Sequence, residues 1–84
     1  MTVDLHNFNR KDAKEYLISK IEEAYKNKDY FIKVIHGFNN GTAIRDYIRN
    51  SKQLMDTGYI LKIEANPLNS GITNIILNVR KSIL

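Results

Sequence analysis

The apolar pattern of this chain predicts an α/β fold of the two-layer α+β kind. The element order is β-α-β-α-β-β, with a mixed four-stranded sheet carrying both helices on one face. Two features predict it. A period-2 stretch at residues 2–6 and a helical period at residues 10–28 are followed by an apolar run at 30–35 and a second helical period at 42–51. That sequence of periods marks successive β-α-β units, whose crossovers are right-handed and whose strands form a parallel core. Apolar runs at 59–64 and 73–79 then flank a turn-rich stretch at 65–71 that holds the only proline. They predict a closing hairpin that adds one antiparallel strand.

The totals allow no larger organisation. The 84 residues suffice for one domain, residues 1–84, and a hydrophobic content of 43% for a thin core. The net charge of +4 leans mildly toward anionic partners. The absence of cysteine excludes a disulfide frame, a thiolate nucleophile and a cysteine-held metal. No run approaches the roughly 20 apolar residues of a membrane helix, and no apolar stretch follows the opening residues as in a signal peptide. A cytoplasmic monomer without membrane contact is the expectation.

Each element has a local reason. In residues 2–6, Val3 and Leu5 point one way and Asp4 and His6 the other, as on a strand with one apolar face. Asn9 is placed to cap the first helix. Ala13, Leu17, Ile21, Ala24 and Tyr25 share one face of that helix. Asp12 and Glu15 sit near its start and Lys26 and Lys28 near its end, as the helix dipole favours. Tyr30 to Ile35 is almost continuously apolar and reads as an interior strand. Ile44, Tyr47 and Ile48 form the buried stripe of the second helix, and residues 52–57 either extend it or loop over the core. The aromatics Phe8, Tyr16, Tyr25, Tyr30, Phe31 and Tyr47 are expected in the core, and Lys33 at a solvent edge.

The informative stretch joins the second strand to the second helix: His36-Gly37-Phe38-Asn39-Asn40-Gly41-Thr42. Such a loop exposes backbone N–H groups at a helix N-terminus, where phosphate is favoured; the plain alternative is a turn capped by Thr42. Sites in open α/β sheets form beyond the carboxyl ends of parallel strands. That edge is expected to collect Asp4, His6, His36 and the loop, which brings both histidines of the chain together. An Asp4–His6 pair would orient an imidazole able to move protons near neutral pH. Arg45 and Arg49, one turn apart, either contact phosphate or pair with Asp46. Phe38, at the loop tip, is placed to stack on a base.

Asp4-Leu5-His6 resembles the DLH motif of the Smr (small MutS-related) domain family. His36-Gly37-Phe38-Asn39-Asn40-Gly41 resembles its second motif, usually His-Gly-x-Gly-x-Gly. Spacing, length and element order agree, so the resemblance covers nearly the whole chain. It implies a fold similar to the C-terminal domain of translation initiation factor 3. It also implies nucleic-acid binding and, in many members, endonuclease (nicking) activity on structured DNA or on RNA, including messages at stalled ribosomes. The chain departs from the family at Asn7, where glycine often follows DLH, and at Asn39, in place of the middle glycine. An asparagine adopts the left-handed conformation at some cost.

On this reading Asp4, His6 and His36 are the catalytic candidates. Gly37, Phe38, Asn39, Asn40, Gly41, Thr42, Arg45 and Arg49 are the phosphate-binding ones. On RNA, His6 would take the 2′-OH proton, and His36 or Arg45 would stabilise the developing charge. DNA lacks a 2′-OH, so nicking it needs an activated water; Mg²⁺ is the expected ion if a metal takes part, although no metal-ligand spacing is present and no cofactor is assigned. The alternatives are a non-catalytic module that docks on RNA, DNA or a ribosome, and an accessory protein that binds simple anions.

Overall fold

The computed structural model of the chain describes residues 1–37 and 41–79, and of residues 41 and 42 only the backbone. The strands are β1 (Thr2–Asp4), β2 (Phe31–Ile35), β3 (Ile60–Ala65) and β4 (Ile72–Leu77). The helices are α1 (Arg10–Lys26), α2 (Gly41–Asn50) and a single turn, α3 (Lys52–Met55). The stretch that sequence left between helix and loop is therefore this short α3. The Ser51 hydroxyl accepts the Leu54 N–H there, and Leu54 is buried in the core.

Helix α1 begins where its cap predicts. The Asn9 side-chain carbonyl accepts the Asp12 N–H at 2.8 Å, and its amide donates back to the Asp12 carboxylate at 3.0 Å. This satisfies amides that a first turn leaves without partners. Ala13, Leu17, Ile21 and Ala24 are buried along one stripe, and the helix ends at Asn27. Lys28, at φ 59°, then turns the chain back toward β2.

The strand order is β1-β2-β4-β3. β1 and β2 are parallel, with Val3 opposite Val34 and Asp4 opposite Ile35. β4 lies antiparallel between β2 and β3. The expected parallel core is thus a single parallel pair, because β4 displaces β3 to the edge. Burial explains this. Five of the six residues of β4 are buried, against one of six in β3, so the more apolar strand of the hairpin takes the interior place.

Strand alternation assigns the two faces. Val3, Leu5, Ile32, Val34, Ile60, Ile75 and Leu77 join Ala13, Leu17, Ile21, Ala24, Ile44, Ile48 and Leu54 in one core, so the helices cover that face. The other face carries Asp4, Lys33, Asn74 and Glu64 among partly buried Phe31, Ile35 and Ile76. Lys33 therefore stands on the open face of a central strand, not at a solvent edge. Among the described residues no helix is long and apolar enough to cross a membrane.

The aromatics meet the expectation only in part: none of the six is fully buried, Phe8 and Tyr47 pack against the core from its margin, and Tyr25 and Tyr30 are 36% and 57% exposed. The inward stripe of α1 is alanine and aliphatic: Ala13, Leu17, Ile21 and Ala24. The rings stack along the flanks instead, Phe8 on Tyr16 at 4.9 Å and Tyr25 on Tyr59 at 4.5 Å, where tyrosine hydroxyls stay wet. Leu17→Ala should accordingly cost about 2–5 kcal/mol in urea unfolding, as a cavity in a thin core does. Tyr16→Ala should cost about 1 kcal/mol or less, as expected of an exposed ring.

Candidate nucleic-acid interface

Because β1 and β2 are parallel neighbours, their carboxyl ends meet at one edge of the sheet, and the residues after each strand lie side by side. The Leu5 N–H donates to the Ile35 carbonyl at 2.7 Å, carrying the pairing one residue past β1. Leu5 is buried, and the chain then turns, closed by the Phe8 N–H on the Leu5 carbonyl at 3.0 Å.

Asp4 lies on the open side of the sheet and binds His6 twice. Its Oδ1 accepts the His6 backbone N–H at 3.1 Å and is also bonded to His6 Nδ1. A carboxylate can only accept, so Nδ1 carries a proton and Nε2 is left pointing away from the pair. Among the described residues nothing engages Nε2. Both side chains are about half exposed. The ring hydrogen bond from His6, and after it the backbone one, hold the Asp4 carboxyl below its ordinary value, so it stays ionised.

His36 has the opposite surroundings. It follows Val34 by two residues and so takes the helix-covered face, where it is 1% exposed. Its Nδ1 lies 3.0 Å from the Gly37 carbonyl, and its Nε2 lies 2.9 Å from Thr73 Oγ1. The carbonyl requires the proton on Nδ1. Burial pushes the ring's pKa below the ordinary histidine value despite that bond, and the Arg49 and Arg45 guanidiniums add to the shift. The ring is therefore neutral near pH 7, and Nε2 accepts the Thr73 hydroxyl. With both nitrogens used, His36 has none to offer a phosphate. His6 and His36 share an edge but do not present two rings to one ligand.

Gly37 adopts φ 79°, the left-handed region that glycine enters freely. A Cβ placed on it would stand 3.5 Å from the His6 Cβ, so this turn runs directly against the Asp4–His6 pair. The N–H groups of His36 and Gly37 both donate to the Gly71 carbonyl at 3.0 Å. The Gly37 amide is thereby committed to the β3–β4 loop. Gly41 and Thr42 begin α2, whose first-turn amides have no partners within the helix. Thr42 accordingly sits inside the helix and not at its cap. Phe38, Asn39 and Asn40, expected to cradle phosphate and stack on a base, lie outside the described residues.

Arg45 is partly buried and reaches Asp46 at 3.4 Å, while Arg49 is exposed. Both make the surroundings of His36 more positive. Among the described residues no three His, Cys, Asp or Glu side chains stand together to hold a metal ion. The one carboxylate of the pair, Asp4, is already occupied by His6. Sequence reasoning missed Thr73 and Gly71, which position His36 and its loop. The signal for Thr73 was a hydroxyl at the position that alternates with the inward-facing Ile75 and Leu77 of β4.

The model of the Smr domain matches residues 3–77. The crystal structure of the Smr domain of Thermus thermophilus MutS2 is similar over 92% of this chain and 96% of its own, at a TM-score of 0.70 and 24% identity, a likeness of fold. No curated protein matches the chain closely enough to count as a relative.

The buried, neutral His36 makes stability depend on pH with a fixed sign. The unfolded chain protonates it near pH 6.5 and the folded chain resists. Stability should therefore be full above about pH 6.5 and fall as the pH drops toward the lowered folded value, by at most about 1.4 kcal/mol per pH unit. Urea unfolding between pH 5 and pH 7.5 should show this slope in the wild type and lose it in His36→Gln.

Proposed function

The chain belongs to the Smr domain family, and on that premise we propose that its Asp4–His6 edge binds nucleic acid and cuts it. The observation that carries the reading is the exposed His6 ring, fixed by Asp4 through Nδ1 and keeping Nε2 outward beside the Gly37 turn. That is the arrangement of an oriented general base. On RNA, His6 Nε2 removes the 2′-OH proton. The oxygen attacks the adjacent phosphorus, the bond to the 5′-oxygen breaks, and that oxygen leaves with a proton from water. The product ends are a 2′,3′-cyclic phosphate and a 5′-hydroxyl. Arg49 and Arg45 supply positive charge for the phosphate, and the first-turn amides of α2 favour the same anion. His36 works beneath this surface: it stays neutral and fixes the Gly37 carbonyl.

Structured RNA fits this chemistry better than DNA, since a 2′-OH substrate needs no metal-activated water. A second reading, a module that docks on RNA, DNA or a ribosome without cutting, is favoured by one observation. His36 has no free nitrogen, so the described residues supply one proton-transfer ring and no partner to protonate the leaving oxygen.

Incubation of the pure protein with structured RNA in EDTA tests the choice. His6→Ala should lower the cleavage rate by about 10²–10⁴-fold with little change in binding, and Asp4→Asn should do similar damage. No cleavage by the wild type, with binding intact, leaves the docking module. Cleavage equally fast in both variants assigns the activity to a contaminant.

A further inference from the structure

The end of the sheet away from Asp4 and His36 gathers a second set of groups. The Leu77 N–H donates to the Tyr30 carbonyl at 2.8 Å, and the Asn78 N–H donates to the Tyr59 carbonyl at 2.8 Å. The exit of β4 thus lies beside the starts of β2 and β3, and α1, crossing back between β1 and β2, ends there too. Between them an open cleft of about 530 Å³ is lined by Tyr25, Lys26, Lys28, Asn78 and Val79. This is the size of a small-ligand site. Tyr59 supports the Tyr25 ring from behind, centroids 4.5 Å apart and planes tilted by 32°.

The described residues leave the charge of this cleft unpaired. Among the described residues neither Lys26 nor Lys28 takes part in an ion pair. The neighbouring carboxylate, Asp29, is held by the Met1 ammonium at 3.0 Å and does not neutralise them. Lys28 also occupies the left-handed position of the turn, where glycine or asparagine is the easier residue. An exposed aromatic ring backed by another, two ammonium groups with no ion pair among the described residues, and a side-chain amide at the rim are the parts of a site for a base and its phosphate. An acidic peptide would use the lysines but not the ring face.

We propose that this cleft takes one nucleotide of single-stranded nucleic acid, its base against Tyr25 and its phosphate between Lys26 and Lys28. The inference rests on reading the chain as a nucleic-acid binder but uses none of Asp4, His6 or His36. The five residues of β2 put the two places about 17 Å apart, at roughly 3.3 Å per residue. A strand leaving a structured segment at the Asp4–His6 edge would be held at both.

Amide spectra of the ¹⁵N-labelled chain test this with three additions in turn: a short single-stranded RNA oligonucleotide, a mononucleotide and inorganic phosphate. The oligonucleotide should shift Tyr25, Lys26, Lys28 and Asn78. Tyr25→Leu, which keeps an apolar side chain, should weaken binding at these residues about tenfold. Lys26→Gln with Lys28→Gln should flatten the salt dependence by about 0.7 in log–log slope per lysine. A mononucleotide that moves the same residues as strongly at equal concentration keeps the site and makes the free nucleotide its ligand. Inorganic phosphate producing the same shifts at those concentrations overturns the proposal, since the ring would then play no part. Oligonucleotide shifts confined to His6 and Gly37 overturn this proposal alone, whereas no shifts anywhere overturn the nucleic-acid reading with it.

Discussion

The parallel register of β1 against β2 is the constraint on which the rest depends. Thr2, Val3 and Asp4 lie opposite Lys33, Val34 and Ile35. In a strand every second side chain changes face, so a slip of one residue would send Val3 and Leu5 outward and Asp4 inward. The register cannot slip because Val3, Leu5, Ile32 and Val34 are all part of the one core beneath α1 and α2. Fixing it also fixes the site. Asp4 and the His6 it holds stay on the open side, and His36 enters the helix-covered side.

The two histidines therefore divide the work through their surroundings. His6 is exposed and tied by one nitrogen, which suits proton transfer. His36 is buried and tied by both. Its bonds to Thr73 and the Gly37 carbonyl, with the Gly71 carbonyl receiving the His36 and Gly37 amides, lock the end of β2, the start of β4 and the hairpin loop to one another. Its neutrality serves the same edge. A charged ring beneath Arg45 and Arg49 would have no counter-ion among its hydrogen-bond partners, and burying such a charge is costly. With the ring neutral, the positive charge near it is carried by Arg49 and by Arg45, the latter paired with Asp46.

Much of this was legible in the sequence because it rests on local periodicity. The alternation Val3-Asp4-Leu5-His6 placed Asp4 and His6 together, the three-and-four spacing of Ala13, Leu17, Ile21 and Ala24 defined α1, and Asn9 marked its cap. Strand order was not legible. β3 and β4 are both apolar runs in the chain, and which one lies beside β2 is decided by long-range burial that only the assembled sheet reveals. The aromatics were misjudged for a related reason. Tyr25 has the spacing to face inward, but its neighbour Ala24 takes the fully buried position and the Tyr25 ring lies on the flank against Tyr59. The faces of the two rings follow from the same alternation, since His36 continues Ile32 and Val34 while His6 continues Asp4. What stayed hidden was the partner of the buried ring, Thr73, which comes from a strand remote in the chain.

On the proposed function, His6 is the working ring and His36 the structural one. Long-range ¹H–¹⁵N spectra of the two imidazoles, recorded near pH 7 with and without structured RNA, test it most directly. His36 should read as a neutral ring protonated on Nδ1 and stay unmoved by RNA, while the His6 nitrogens should shift on binding. A protonated His36 at that pH, or a His36 ring that shifts with RNA as far as His6 does, would contradict it.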